Sequence, residues 1–149
     1  METVQVIIYR KKADRPHEFL LLKRKKELGG FWQPVVGKVK PKEPLGKAFI
    51  RECHEEIGLD LDYIMMIAPE FYSFEMNEHH LTGKKIKPIK EHVFAIMVNA
   101  DFVPDCTKNP DKEHISFDWF PFGGALQKLK WEDNKKALSL FFKFYIIGE

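Results

Sequence analysis

Three glutamates with helical spacing are the strongest chemical signal in this sequence. Glu52, Glu55 and Glu56 stand at positions i, i+3 and i+4, so on a helix their side chains share one face. Carboxylates this close repel one another, and beside an apolar stripe they are costly unless a cation pairs with them. A hard ion that prefers oxygen ligands, such as Mg²⁺, suits an all-carboxylate set. The spacing therefore predicts a divalent-metal site on a helix.

The segment around these acids carries the start and stop signals of a helix. Leu45 and Phe49 continue the acidic side as an apolar stripe, which indicates packing against a core. Pro44 suits the first turn, where no backbone N–H is needed, and Gly58 suits the left-handed position after the last turn. We therefore predict a helix between these two residues, with Arg51 on its opposite, polar side.

The stretch from Gly37 to Leu59 reads GKVKPKEPLGKAFIRECHEEIGL. Its glycine, its first glutamate, its Arg-Glu and Glu-Glu pairs and its Gly-Leu ending resemble the Nudix box. There are two departures from the family pattern. Cys53 replaces an aliphatic residue, and it is small and apolar enough to be buried there. Lys42 replaces a glycine, and because lysine disfavours positive φ, this turn is expected to differ or to be strained.

The resemblance implies a role for each polar residue of the box. The implied metal ligands are the three helix carboxylates and the backbone carbonyl of Gly37, with Mg²⁺ as the ion and Mn²⁺ as a substitute. The same carboxylates form the implied catalytic set. Glu43 is implied to pair with Arg51 and to brace the loop against the helix, through a two-bonded contact. The competing interpretation is an acidic, solvated helix face with weak surface ion pairs.

Residues outside the helix complete the predicted site. In some branches of the family a glutamate before a strand is the general base or a metal ligand, which makes Glu113 a candidate for both roles; an exposed loop acid is the alternative. His114 either contacts a phosphate or packs. Lys38 and Lys40 flank the box loop and are candidates for phosphate contact. Trp32 either stacks on the base or pterin of a substrate or belongs to the core.

The entry to the box, FWQPVVG at residues 31–37, resembles that of the bacterial dATP and dihydroneopterin triphosphate pyrophosphohydrolases. This resemblance implies Mg²⁺-dependent hydrolysis of a nucleoside or pterin triphosphate to pyrophosphate and a monophosphate. Hydrolysis of a dinucleoside polyphosphate, such as diadenosine tetraphosphate, is the second interpretation. The third is a nucleotide-binding module without catalysis, although such modules usually lose box acids and here all are present.

Bulk properties limit the function classes. A length of 149 residues predicts one domain, and a net charge of +2 does not favour nucleic acid as a partner. Two cysteines form no disulfide framework, and no apolar run reaches the length of a membrane span. The N-terminus lacks a signal-peptide layout. We therefore expect a cytoplasmic protein that acts on a small molecule, as a monomer or a homodimer.

The hydrophobic pattern predicts an α/β fold with a mixed sheet and helices on its faces. The resemblance implies the same arrangement, since the Nudix fold is an α/β/α sandwich whose loop–helix–loop box presents its acids to the substrate. Residues 76–91 are polar and basic and are predicted to form a long loop. The predicted strands are 3–9, 19–22, 31–36, 61–67, 70–74, 92–99 and 115–120, and the predicted helices are 44–57, 121–129 and 133–145.

Overall fold

The predicted combination of strands and helices is present in a computed structural model, which describes residues 1–79, 81–109 and 112–148. The strands within these residues are β1 (Glu2–Arg10), β2 (Glu18–Arg24), β3 (Trp32–Gln33), β4 (Val35–Lys38), β5 (Ile64–Glu78), β6 (Lys85–Val98) and β7 (His114–Pro121). The helices are α1 (Leu45–Ile57), α2 (Phe122–Lys128) and α3 (Glu132–Phe141), and a π-helical segment (Phe142–Ile147) continues α3.

The sheet is mixed, as predicted. Its main path is β3-β2-β1-β6-β5, while β4 pairs with β1 and β7 pairs with β2. Strands β1 and β6 run parallel, and the other pairs are antiparallel. This topology brings the end of β4, the start of β6 and the start of β7 to the same region as the N-terminal end of β1.

Helices cover both faces of the sheet, and the alternating side chains of β1 pack against both layers. Val4 and Val6 point into a core shared with Phe49 and Ile57 of α1, whereas Ile7 belongs to a second core on the side of α2 and α3. Successive side chains of a strand point to opposite faces, so β1 contributes to both layers. The α/β/α arrangement is confirmed. No helix among the described residues is both long and apolar enough to cross a bilayer.

The prediction of a long loop over residues 76–91 is wrong. Here β5 and β6 form an extended antiparallel hairpin whose pairing reaches Glu78 and Lys85. Pro88 suggested a loop, but it lies where β6 extends beyond β1, since the β1–β6 pairs begin at Lys90, and a proline is tolerated at such a strand edge. The strand predicted from Leu61 starts at Ile64, after a 3₁₀ turn.

The turn before α1 keeps the left-handed conformation although it lacks a glycine. Lys42 has a φ of 63°, in a region that costs a residue with a Cβ about 1–2 kcal/mol. The backbone N–H of Glu43 donates to the carbonyl of Lys40 at 3.0 Å, which closes the turn. Of the two expectations for this turn, strain is therefore the correct one.

Candidate active site

Helix α1 places its three glutamates at the border between the core and solvent. Its inner face buries Ala48 and Cys53 against the sheet, and this burial raises the pKa of the Cys53 thiol. Glu52 and Glu56 are each only 7% exposed, whereas the side chain of Glu55 is 39% exposed. Two of the three carboxylates are thus held in a partly desolvated position, where a nearby cation has a large effect.

Arg51 is the protein cation that contacts this cluster. Its Nε and Nη2 atoms donate to the two carboxylate oxygens of Glu43 at 2.7 and 2.8 Å, which is the two-bonded pair that the resemblance implied. Its Nη1 atom lies 2.9 Å from Glu52 and 3.2 Å from Glu55. A further bond from Nη2 reaches the carbonyl of Lys38 at 3.0 Å. The predicted position of Arg51 on the opposite side of the helix is therefore wrong, because its long side chain folds back toward the acids.

Arg51 contacts three acids, and the pKa values of two of them, Glu43 and Glu52, are shifted in opposite directions. Hydrogen bonds from Arg51 and from the backbone of Lys40 lower the pKa of Glu43 to about 2, so Glu43 is a permanent anion. Burial raises the pKa of Glu52 to about 7, against the opposing effect of Arg51. Glu52 is therefore costly to ionise in spite of its ion pair with Arg51, because the effect of burial is larger than that of the contact.

Gly37 makes room for this acid. A Cβ atom at Gly37 would lie 1.9 Å from Cδ and 2.1 Å from Oε2 of Glu52, far closer than any non-bonded contact. Only a glycine lets β4 pass so near the carboxylate. The close approach also brings the backbone of Gly37 to the same place as the Glu52 oxygens, which fits the implied sharing of a metal ion by these two groups.

Glu56 is held from its other side by residues distant in sequence. Its Oε2 atom accepts a hydrogen bond from Asn109 Nδ2 at 2.7 Å and lies 3.1 Å from Nδ1 of His114. The Nε2 atom of His114 is 2.9 Å from the amide nitrogen of Gln33. When that amide donates, the imidazole carries its proton on Nδ1, which lies near the carboxylate but outside hydrogen-bond geometry. This chain of contacts fixes the orientation of Glu56.

His114 is placed differently from the predicted phosphate contact. Its side chain is 2% exposed and lies behind Glu56, so it does not line the cavity above the acids. The second of the two sequence-based alternatives, packing, describes its position. Its contact with Glu56 gives it a positioning role that the sequence did not reveal.

A cavity of about 580 Å³ lies over the acids. Its lining includes Glu52, Glu55 and Glu56, with Gly37 and Lys38 from β4 and with Glu113 just before β7. In the described residues no three His, Cys, Asp or Glu side chains already stand in the arrangement of a bound ion, and Arg51 holds two of the carboxylates. The oxygen-rich lining and the costly burial of the Glu52 carboxylate nevertheless fit a hard divalent cation.

A second cavity of about 390 Å³ adjoins the acidic one. Both are lined by Thr3, Arg24, Val36 and His79, so the two cavities lie side by side. The second cavity has aromatic and aliphatic walls that the acidic cavity lacks. These apolar wall residues are Leu28, Phe31, Met76, Leu81, Ile86, Ile89 and Trp131.

Two predicted substrate contacts lie elsewhere. Trp32 packs into the core beside α2 and α3, where its ring meets Phe120 edge-on at 5.3 Å; the core alternative is thus correct. Phe31 lines the cavity in its place, since neighbouring residues of an extended chain face opposite ways. Lys40 is exposed and contributes its backbone N–H to Glu43 at 3.0 Å, while its side chain is not part of the cavity lining.

Two residues at the site were not singled out from the sequence, although the basic run that contains Arg24 allows either attraction of a polyphosphate or a solvated loop. Arg24 lines both cavities, and its buried Nε atom has no hydrogen-bond partner among the described residues. Asn109 supports Glu56 from a loop. Arg24 stands in the basic run KRKK at 23–26, but nothing in the run distinguishes it from three neighbours. Its location at the junction of the cavities makes it the better candidate for a phosphate contact.

Comparison with known proteins agrees with this geometry. Residues 1–141 match the sequence model of the NUDIX domain. The chain belongs to the Nudix family. The Nudix resemblance and the implied α/β fold are confirmed, and the protein is a pyrophosphohydrolase of this family. Nudix hydrolases generally use divalent metal ions.

Individual relatives of this Nudix protein include proteins named for two different activities. A dihydroneopterin triphosphate diphosphatase of Haemophilus influenzae is 28% identical over 145 residues, which cover 94% of this chain and 86% of that protein. The E. coli dihydroneopterin triphosphate pyrophosphohydrolase has a TM-score of 0.75 at 20% identity, over 99% of this chain and 96% of that one. A C. elegans Ap4A hydrolase has a TM-score of 0.78 at 22% identity, over 99% and 98% of the two chains. At these identities, the two structures show a shared fold.

Proposed function

We propose that this protein hydrolyses a nucleoside or pterin triphosphate with the help of Mg²⁺, releasing pyrophosphate and a monophosphate. The observation that carries the proposal is that the acidic and apolar cavities adjoin and share four lining residues. A substrate with a polyanionic chain at one end and a flat ring at the other matches an acidic cavity, suited to a metal ion, beside an apolar one. The named activity of the Haemophilus influenzae relative supports the same substrate class.

The triphosphate would lie over helix α1. A bound Mg²⁺ would neutralise the anhydride oxygens and acidify water, and its ligands would be Glu52, Glu55, Glu56 and the Gly37 carbonyl; Mn²⁺ could replace it. Arg24 and Lys38, the two cationic side chains in the lining of the acidic cavity, would contact phosphate oxygens.

Glu113 is our candidate for the general base. It lines the acidic cavity, its side chain is 34% exposed, and its nearest cation is Arg24 at 3.9 Å. It is therefore an acid of this cavity outside α1 that Arg51 does not hold. A carboxylate in this position could accept the proton of the attacking water. Glu55, which is more exposed than its two helix neighbours, is the alternative.

The test is a panel of triphosphates with Mg²⁺ and separately with Mn²⁺, with each product identified. Pyrophosphate and a monophosphate are expected, and Glu55→Gln should reduce turnover roughly 100-fold or more, because ligand loss costs at least as much as loss of a supporting contact. Glu75→Gln, on an exposed part of β5, is the matched control and should retain full activity. Release of ATP and AMP from diadenosine tetraphosphate, with no reaction of triphosphates, would show the second activity instead. Nucleotide binding without any product would contradict both.

A further inference from the structure

The apolar cavity contains one buried acid that the proposed chemistry does not use. Glu91, near the start of the β1–β6 pairing, is 4% exposed and lies among the lining residues. Glu27 and Glu78 also line this cavity, but both are exposed to solvent. A carboxylate inside an aromatic and aliphatic cavity is unfavourable unless a donor satisfies it, so Glu91 needs an explanation.

Protein partners satisfy Glu91 only in part. Thr3 donates its hydroxyl hydrogen to Oε1 at 2.9 Å. The Oε2 atom accepts no hydrogen bond from the described side chains, and no Lys or Arg among them forms an ion pair with Glu91. Burial raises the pKa of Glu91 to about 7, and the nearby charge of Asp133 acts in the same direction. A ligand that brings N–H groups would relieve this unfavourable burial.

Two further polar side chains of the cavity leave acceptors open. Asn134 donates its amide hydrogen to Gln5 at 3.1 Å, and the amide nitrogen of Gln33 is engaged with His114 at 2.9 Å. The side-chain carbonyl oxygens of Asn134 and Gln33 accept no hydrogen bond from the described residues. Together with Glu91, they make the polar part of the cavity rich in acceptors, which suits a ring whose edge carries hydrogen-bond donors.

We propose that Glu91 selects a ring bearing a 2-amino group next to a ring N–H, the edge that guanine and pterins share. Such a ring presents two parallel donors to the two carboxylate oxygens, and Oε1 can accept a second hydrogen bond beside that from Thr3. Adenine presents one donor beside a ring nitrogen that carries a lone pair. That lone pair would face a lone pair on a Glu91 oxygen, and the two would repel each other. Phe31 and Trp131, whose rings meet edge-on at 5.4 Å, supply the aromatic wall of the ring site.

This inference rests on the proposed function, but its test does not require turnover. Calorimetry would measure the binding of GMP, IMP and AMP, where IMP lacks only the 2-amino group of GMP. The wild-type protein should bind GMP about 10-fold or more tightly than IMP or AMP, the effect of one charge-assisted hydrogen bond. Where triphosphates are hydrolysed, kcat/KM for GTP, ITP and ATP should follow the same order.

The variant Glu91→Gln keeps the size of the side chain and an acceptor for Thr3. It should weaken GMP binding about 10- to 100-fold and leave AMP binding within about threefold, whereas Glu75→Gln, on an exposed part of β5 outside the lining of both cavities, should change neither. Circular dichroism and thermal denaturation would verify folding. Equal binding of GMP and AMP by the wild-type protein, or equal loss of both in Glu91→Gln, would overturn the inference. Base-selective binding without pyrophosphate release would leave it standing and refute only the proposed function.

Discussion

Substitution of Gly37 by alanine tests the metal site without removing a single ligand atom. The new methyl carbon would stand 1.9 Å from Cδ of Glu52, whereas ordinary contact begins at 3.4 Å, so the carboxylate must retreat by about 1.5 Å. Displacement of a catalytic group by about 1 Å costs on the order of 100-fold in rate. The backbone itself is no obstacle, because Gly37 does not have a positive φ.

Activity and metal dependence should therefore fail together in Gly37→Ala. We expect kcat/KM to fall roughly 100-fold or more, and the Mg²⁺ concentration at half-maximal rate to rise. Overpacking should lower the free energy of unfolding by about 1–3 kcal/mol. Pyrophosphate release at a series of Mg²⁺ concentrations measures the first two, and urea denaturation measures the third.

Gly46→Ala, in the first turn of α1, is the matched control. A Cβ at Gly46 would have nothing within 4 Å, and alanine is favoured over glycine in a helix by about 1 kcal/mol. This variant should be active and slightly more stable. If Gly37→Ala retained its rate within about threefold and its Mg²⁺ dependence, the placement of Glu52 as a metal ligand would be refuted.

Two further predictions concern the charges around the site. Arg51→Ala should lower the free energy of unfolding by about 1.5–3 kcal/mol, because the charge-assisted hydrogen bonds to Glu43 are lost. It should also weaken Mg²⁺ binding, because Glu52 and Glu55 lose the donor that positions them. The exposed control Lys47→Ala should cost less than about 0.5 kcal/mol, and equal losses in urea denaturation would contradict the first expectation. Because the pKa of Glu52 rises from 4.5 to about 7 on folding, the folded protein retains a proton between these values that the unfolded chain loses. With metal removed by EDTA, the free energy of unfolding should therefore fall as pH rises from 4.5 to 7. The free energy of unfolding of Glu52→Gln should equal that of the wild type near pH 4 and exceed it at pH 8. Parallel curves for the two proteins would show that Glu52 does not titrate in this way.

The sequence alone determined helix α1 and the grouping of its acids, because both depend on local spacing. Carboxylates three and four residues apart share a helix face in any fold, and Pro44 and Gly58 mark the ends of α1 through their own backbone preferences. The parallel pairing of β1 with β6 was beyond such reasoning. So was the β5–β6 hairpin, because Gly83 and Pro88 obscured its strand pattern.

Tertiary structure decided which side chains surround those acids. The contact between Asn109 and Glu56 joins residues 53 positions apart, and that between Thr3 and Glu91 joins residues 88 apart. Alternation along an extended segment shows that Phe31 and Trp32 face opposite ways, but only the packed sheet fixes which of them meets the cavity and which meets α2 and α3. Periodicity acts within one segment of the chain, whereas a binding cavity is made by segments that only the folded sheet brings together.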